Sequence, residues 1–416
     1  MVLKEEYSFS IGKKLTSRIA AIDFVRGLAM IFMALDHAST YWNSGRFFGE
    51  FYYAQRPLIL PDLLQFMIRF ISHWCAPTFV CLAGTSMVFF ESRRLEKGVS
   101  QGEITKHYIV RGIILVLIEW ILIAPLFKAG FLYIGVLAVI GVGFILFAFI
   151  RKLDTKIILS LSLLLLLSPI FGEFIWNPLF NPGAHPVSFS IFNLGNLGGF
   201  TQDGYFKNWF NAMTYNPVWP YGLYPLDPWL GIMGIGMVLG RWILKQQKGE
   251  DANQTIAKQL FTIGGLQLLI FFILRTTQGF PFNYFPIWQD AGVLIENAFT
   301  FQNYFFMSKY PPSIVFLLWT LGGMCIVLAL GFYFEKNIRF QKLISPVLVF
   351  GTSALYFYCA HLLLYAAIPE LLDLVKGFSV QITLIVWIIG LILLYPSCLE
   401  FQKWKKKYPN SLLKYI

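Results

Sequence analysis

The chain has 416 residues, of which 57% are hydrophobic and only 13% charged, with a mean hydropathy of +0.62. That lies far outside the composition of a soluble protein and predicts a multi-pass membrane protein. The net charge of +11 would suit nucleic acid, but the basic residues are scattered among short connections, which excludes one basic binding face.

The first 17 residues are polar and basic, with no apolar core or cleavage site, so no removable signal peptide is expected. The first span, RIAAIDFVRGLAMIFMALDH from Arg18 to His37, carries Asp23, Arg26, Asp36 and His37 into the bilayer. Each charge facing lipid near the helix centre would cost roughly 2.5 to 3.5 kcal/mol, so these groups should face protein or a water-filled cavity. By helical geometry Asp23, Arg26 and His37 fall within about 60° of one another, and Asp36 points elsewhere.

In all about ten spans are expected, near residues 19–40, 63–92, 107–127, 130–150, 157–172, 228–245, 257–275, 312–335, 346–368 and 379–399. The expected fold is an all-α polytopic bundle forming one domain over 1–416. Most of the 33 Lys and Arg lie in inner segments if the amino terminus is cytoplasmic, so both termini, 1–18 and the basic tail 400–416 with its KWKKK run, are placed on that side. Residues 173–227 and 276–311 then form long outer connections rich in Asn, Gly, Pro and aromatics, suited to an aromatic belt or to an acceptor platform.

The second span adds a polar row. Asp62, Arg69, His73, Pro77 and Gly84 recur near the helical period, and Pro77 should kink the backbone beside His73. His361 sits in the ninth span. His37, His73 and His361 could therefore converge on a cavity open to the outer side. His107 and His185 read as solvated loop histidines, Glu119 and Arg111 as ion-pair partners for other helices, and Gly84 as a point of close helix contact. Cys75, Cys81, Cys325, Cys359 and Cys398 all lie in apolar segments and read as packing residues.

No phosphate-binding Gly-rich loop, HExxH, CxxC or GxSxG is present, and AGTS at Ala83–Ser86 lacks the last spacing. No metal is predicted. Two other classes fit part of the pattern: a secondary transporter of a small polar or anionic solute, which also carries intramembrane charges, and a non-catalytic scaffold, which leaves the insertion cost unexplained.

RIAAIDFVRGLAMIFMALDH, RFISHWCAPTFVCLAGTS, DPWLGIMGIGMVLGRW, KYPPSIVFLLWTLG and LLKYI resemble, in order, the bacterial branch of the heparan-alpha-glucosaminide N-acetyltransferase-like membrane proteins. The Asp23, Arg26, Gly27 and His37 pattern is also similar to acyltransferase-type-three proteins, whose helix histidine is regarded as catalytic. The resemblance implies a bacterial inner-membrane enzyme. It would take an acyl group, in the first place acetyl, from cytoplasmic acyl-CoA and place it on a hydroxyl or amine of an outer acceptor such as a carbohydrate. The animal lysosomal acetyltransferase has Asn where His37 stands and a histidine in the following loop, whereas residues 41–62 here contain none. On this reading His37 and His73 are the catalytic candidates, Arg26 and Arg69 contact the donor, and Asp23, Asp36 and His361 support them.

Overall fold

The computed structural model describes residues 19–46, 62–127, 133–171, 221–222, 224–247, 251–276, 301–307, 309, 312–372, 374 and 377–415. The tail 1–18, His185 and most of the two long connections lie outside the described residues. The rest is helical. α1 is Ala20–Trp42, α2 Leu63–His73, α3 Cys75–Glu96, α4 Gln101–Ile118, α5 Ala124–Leu126, α6 Val136–Ile150 and α7 Thr155–Phe171. α8 is Leu226–Gln246, α9 Ala252–Thr276, α10 Phe301–Phe305, α11 Ile314–Phe334, α12 Ile338–Thr352, α13 Ala354–Leu371 and α14 Val380–Lys407, with a closing 3-10 turn at Leu412–Tyr415. A two-residue parallel pairing of Tyr133–Ile134 with Tyr221–Gly222 is a minor addition to an all-α fold.

Five described helices are long and apolar enough to cross a bilayer, with α2 and α3 taken together, and six if the bent pair α12 and α13 forms one span. α6 and most of α7 are apolar but shorter. α1 is 23 residues long, but the charges it carries lower its hydropathy, and it is enclosed by other helices instead of lipid.

α1 is the hub: α2, α3, α11, α12, α13 and α14 all pack on it. Its approach to α12 is backbone to backbone, because a Cβ on Gly27 would collide with the Val347 carbonyl and one on Gly351 with the Asp23 carbonyl. α3 meets α8 in the same way through Gly84 and Gly236, so the expected role of Gly84 holds. Indole and phenol groups then lock the neighbours: Trp42 donates to the Tyr365 carbonyl (3.1 Å), Tyr365 to Trp387 (3.0 Å) and Trp387 to Ile31 (3.0 Å).

One expectation holds and three change. The second span breaks at Trp74, between α2 and α3. Pro77 has no N–H for the carbonyl four residues earlier and its ring crowds that carbonyl, so the break falls at His73–Trp74, beside His73 as expected. Asp62, placed on the polar row, caps α2 by accepting from the Leu64 and Gln65 amides. The ninth span is bent by 82° after the run Gly351–Thr352–Ser353, the kind of small-residue sequence at which helices kink.

Glu119 is the third change. It makes no ion pair with a described residue, and its Oε2 accepts from the Leu137 and Ala138 amides at 2.8 and 3.2 Å, capping α6. Gly135 leaves room for that carboxylate, and the chain around Glu119–Ile123 is wound as a π-helix. The five cysteines are free and mostly buried, as packing residues should be.

Candidate active site

The bend after α12 directs α13 across the C-terminal half of α1, and there two histidines meet. His37 Nδ1 lies 2.7 Å from His361 Nε2, and His361 Nδ1 lies 2.6 Å from the Phe357 carbonyl one turn earlier in α13. The imidazole planes differ by 10° with centroids 5.0 Å apart. That separation is about the N···N distance plus two ring radii, so the rings sit end to end in one plane, the geometry of a direct N–H···N bond and not of a face-to-face stack. Phe127 and Tyr358 stand edge-on to His37 at 5.4 and 6.1 Å. His361 is 0% exposed and His37 9%, so His37 is the less enclosed of the two.

Beside the pair, Asp36 gathers the ends of α1 and α2. Its Oδ1 accepts from Arg69 Nη1 (2.5 Å), Arg46 Nη2 (3.1 Å) and Ser72 Oγ (2.9 Å), and Arg46 Nη1 also reaches the Asp36 carbonyl at 2.6 Å. Asp36 thus faces α2 and does not bond His37, in keeping with its expected direction around the helix. His73 is buried, with its ring edge-on to Phe316 at 5.6 Å, and no hydrogen bond joins it to the His37–His361 pair.

Toward the start of α1 lies a second polar group. Arg26 Nη1 is 3.0 Å from Asp23 Oδ1, and its Nη2 donates to Ser86 Oγ at 2.7 Å. The AGTS segment therefore supplies a hydroxyl to this arginine. His107 departs from its expected loop environment: it is stacked between Phe90 (4.3 Å) and Tyr415 (4.8 Å), which fastens the carboxyl-terminal turn to α4.

Arg46, Ser72 and the Phe357 carbonyl were missed from the sequence. Arg46 lies in a connection with no periodicity to place it, and a serine next to His73 carries no signal of its own. The i to i−4 relation of His361 to Phe357 is implicit in any helix, but it gains meaning only once His361 Nε2 is known to be engaged.

A helical bundle of several apolar helices that buries paired imidazoles beside a charge-compensated carboxylate defines the class, a multi-pass membrane protein. Residues 18–276 match the family model described as heparan-alpha-glucosaminide N-acetyltransferase, catalytic. That is more than half of the chain, and the chain belongs to this family of membrane acetyltransferases. No curated protein matches it. Among the described residues no group of His, Cys, Asp and Glu could hold a metal ion.

Proposed function

We propose that this protein transfers an acetyl group from cytoplasmic acetyl-CoA to an amine or hydroxyl of a carbohydrate or other polar acceptor on the far side of a bacterial inner membrane, through about ten spans with both termini inside. The observation that carries the reading is the His37–His361 pair in a chain of acetyltransferase family. The Phe357 carbonyl can only accept, so His361 Nδ1 carries a proton. In the neutral ring its Nε2 is then an acceptor. His37 must donate through Nδ1, and its Nε2 keeps a lone pair.

A lone pair held in one orientation suits general-base work. His37 Nε2 takes the proton of the acceptor N–H or O–H as that atom attacks the thioester carbonyl carbon. The C–S bond then breaks, and the proton passes from His37 to the leaving thiolate, giving the acetylated acceptor and free CoA. His361 supports the imidazolium formed in between. Arg26, eleven residues and about 16 Å from His37 along α1, contacts the donor, with Asp23 orienting its guanidinium. Arg69 is engaged by Asp36, so any contact it makes with substrate is set through that carboxylate. His73 stands as the second catalytic candidate.

The test is His37→Ala in purified protein, following free thiol released from acetyl-CoA in the presence of an amino-sugar acceptor. Turnover should fall on the order of 10²- to 10⁴-fold. Unchanged turnover would remove His37 from the mechanism.

A further inference from the structure

Arg111 has no role in the chemistry above, yet its position is costly. It stands ten residues into α4, about 15 Å along the helix, on the stripe of Ile104, Tyr108, Leu115 and Glu119 that is buried against the bundle. It therefore faces protein and not lipid. Its guanidinium lies over the Phe144 ring at 5.1 Å. Its Nε is sealed from solvent without an acceptor, while the residue as a whole is only partly buried, which leaves its outer nitrogens facing accessible space. Among the described residues no carboxylate pairs with it. An ionised side chain inside a span is tolerated when it meets an opposite charge or lines a cavity.

The surroundings supply further donors instead of a counter-charge. Tyr108, one turn before Arg111, donates to the Met87 carbonyl at 2.7 Å, and the neighbouring Ser86 holds Arg26. Arg26 of α1 and Tyr108 of α4 therefore meet adjacent residues of α3, and Arg111 stands one turn beyond Tyr108 on the same face of α4. Among the described residues the carboxylate bonded to Arg26 is that of Asp23. The close contact of Gly112 with the Gly141 carbonyl holds α4 on α6 and keeps Phe144 beneath the guanidinium. Two guanidiniums with one carboxylate leave a net positive seat, and a planar fork of donors matches phosphate oxygens.

We propose that Arg111 and Arg26 form a binding seat for a phosphate group in the inner half of the bundle. The phosphate belongs either to the acyl-CoA donor, whose extended pantetheine arm could bridge from here to His37, or to an anionic lipid headgroup. The first assignment rests on the acetyltransferase reading above; the second does not.

The experiment compares wild type with Arg111→Gln and Arg111→Lys. In one arm, kcat/KM is measured for acetyl-CoA and for acetyl-pantetheine, which carries the same thioester without the adenosine phosphates. In the other, retention of phosphatidylglycerol is followed by native mass spectrometry. If the seat takes the donor, Arg111→Gln lowers the acetyl-CoA to acetyl-pantetheine ratio about tenfold or more and Arg111→Lys recovers part of it. If the seat takes a lipid, the ratio stays and the bound phosphatidylglycerol is lost. An unaltered ratio together with unaltered lipid retention overturns the proposal. Wild type that consumes neither thioester would sink the acetyltransferase reading and leave the lipid arm to decide Arg111. Because Arg111→Gln removes an uncompensated charge, it should melt no lower than wild type without ligand, so loss of binding will not reflect loss of fold.

Discussion

The pairing of His37 with His361 depends on one nitrogen atom at each step, and so do its consequences. With His361 Nδ1 bonded to the Phe357 carbonyl, the ring cannot turn without breaking a buried hydrogen bond, and His37 inherits a fixed tautomer. His361→Ala should lower kcat while leaving KM for the donor near its original value. His361→Gln, which can still accept from His37 Nδ1, should recover part of that loss. A general loss of packing would show no rescue. Asp36 behaves differently. Its carboxylate compensates two buried guanidiniums, and breaking a buried ion pair from one side costs about 3 to 5 kcal/mol. Asp36→Asn should therefore lower the melting temperature in detergent, and an unchanged melt would show that the cluster contributes little to stability.

At the scale of the helix, breaks and caps decide where these side chains point. The 82° bend after α12 carries His361 to α1, and the glycine contacts between α1 and α12 fix that junction. Gly351→Val would drive a side chain into the Asp23 carbonyl and should destabilise the protein and abolish transfer together, read as loss of the folded peak in size exclusion. Glu119→Ala removes the cap of α6 at a cost of about 0.5 to 2 kcal/mol, while Glu119→Gln, still able to accept from the amides, should recover much of it in thermal melts. These features were only partly legible in the sequence. Hydropathy placed most helices within a few residues, and Pro77 announced the break beside His73. The bend after Ser353 left a weaker mark, because small residues inside an apolar run also serve close helix contact without a kink. Glu119 looked like an ion-pair partner because a buried acid suggests a cation, and nothing in the spacing reveals that two amides from the next helix serve it.

For the molecule as a whole, the organising role of the first helix was legible because an insertion cost concentrated in one segment demands a protein environment around it. The juxtaposition of His37 with His361, separated by more than three hundred positions in the chain, was legible only as a shared depth in the bundle. His107 was misread since its partner, Tyr415, comes from the other end of the chain. If both termini lie on the donor side, as proposed, single cysteines placed at residue 5 and residue 410 of a cysteine-free variant should react with an impermeant maleimide only after the inner face is opened. Labelling of either from the outer face would reverse that topology.

The most direct test uses proteoliposomes in which acetyl-CoA is present only on the side of the termini and an amine or hydroxyl sugar acceptor only on the other. The account predicts acetylated acceptor in one compartment and free CoA in the other, in equal amounts, with neither formed by His37→Ala. Movement of the acceptor across the bilayer without thioester consumption would contradict it and would make the protein a transporter.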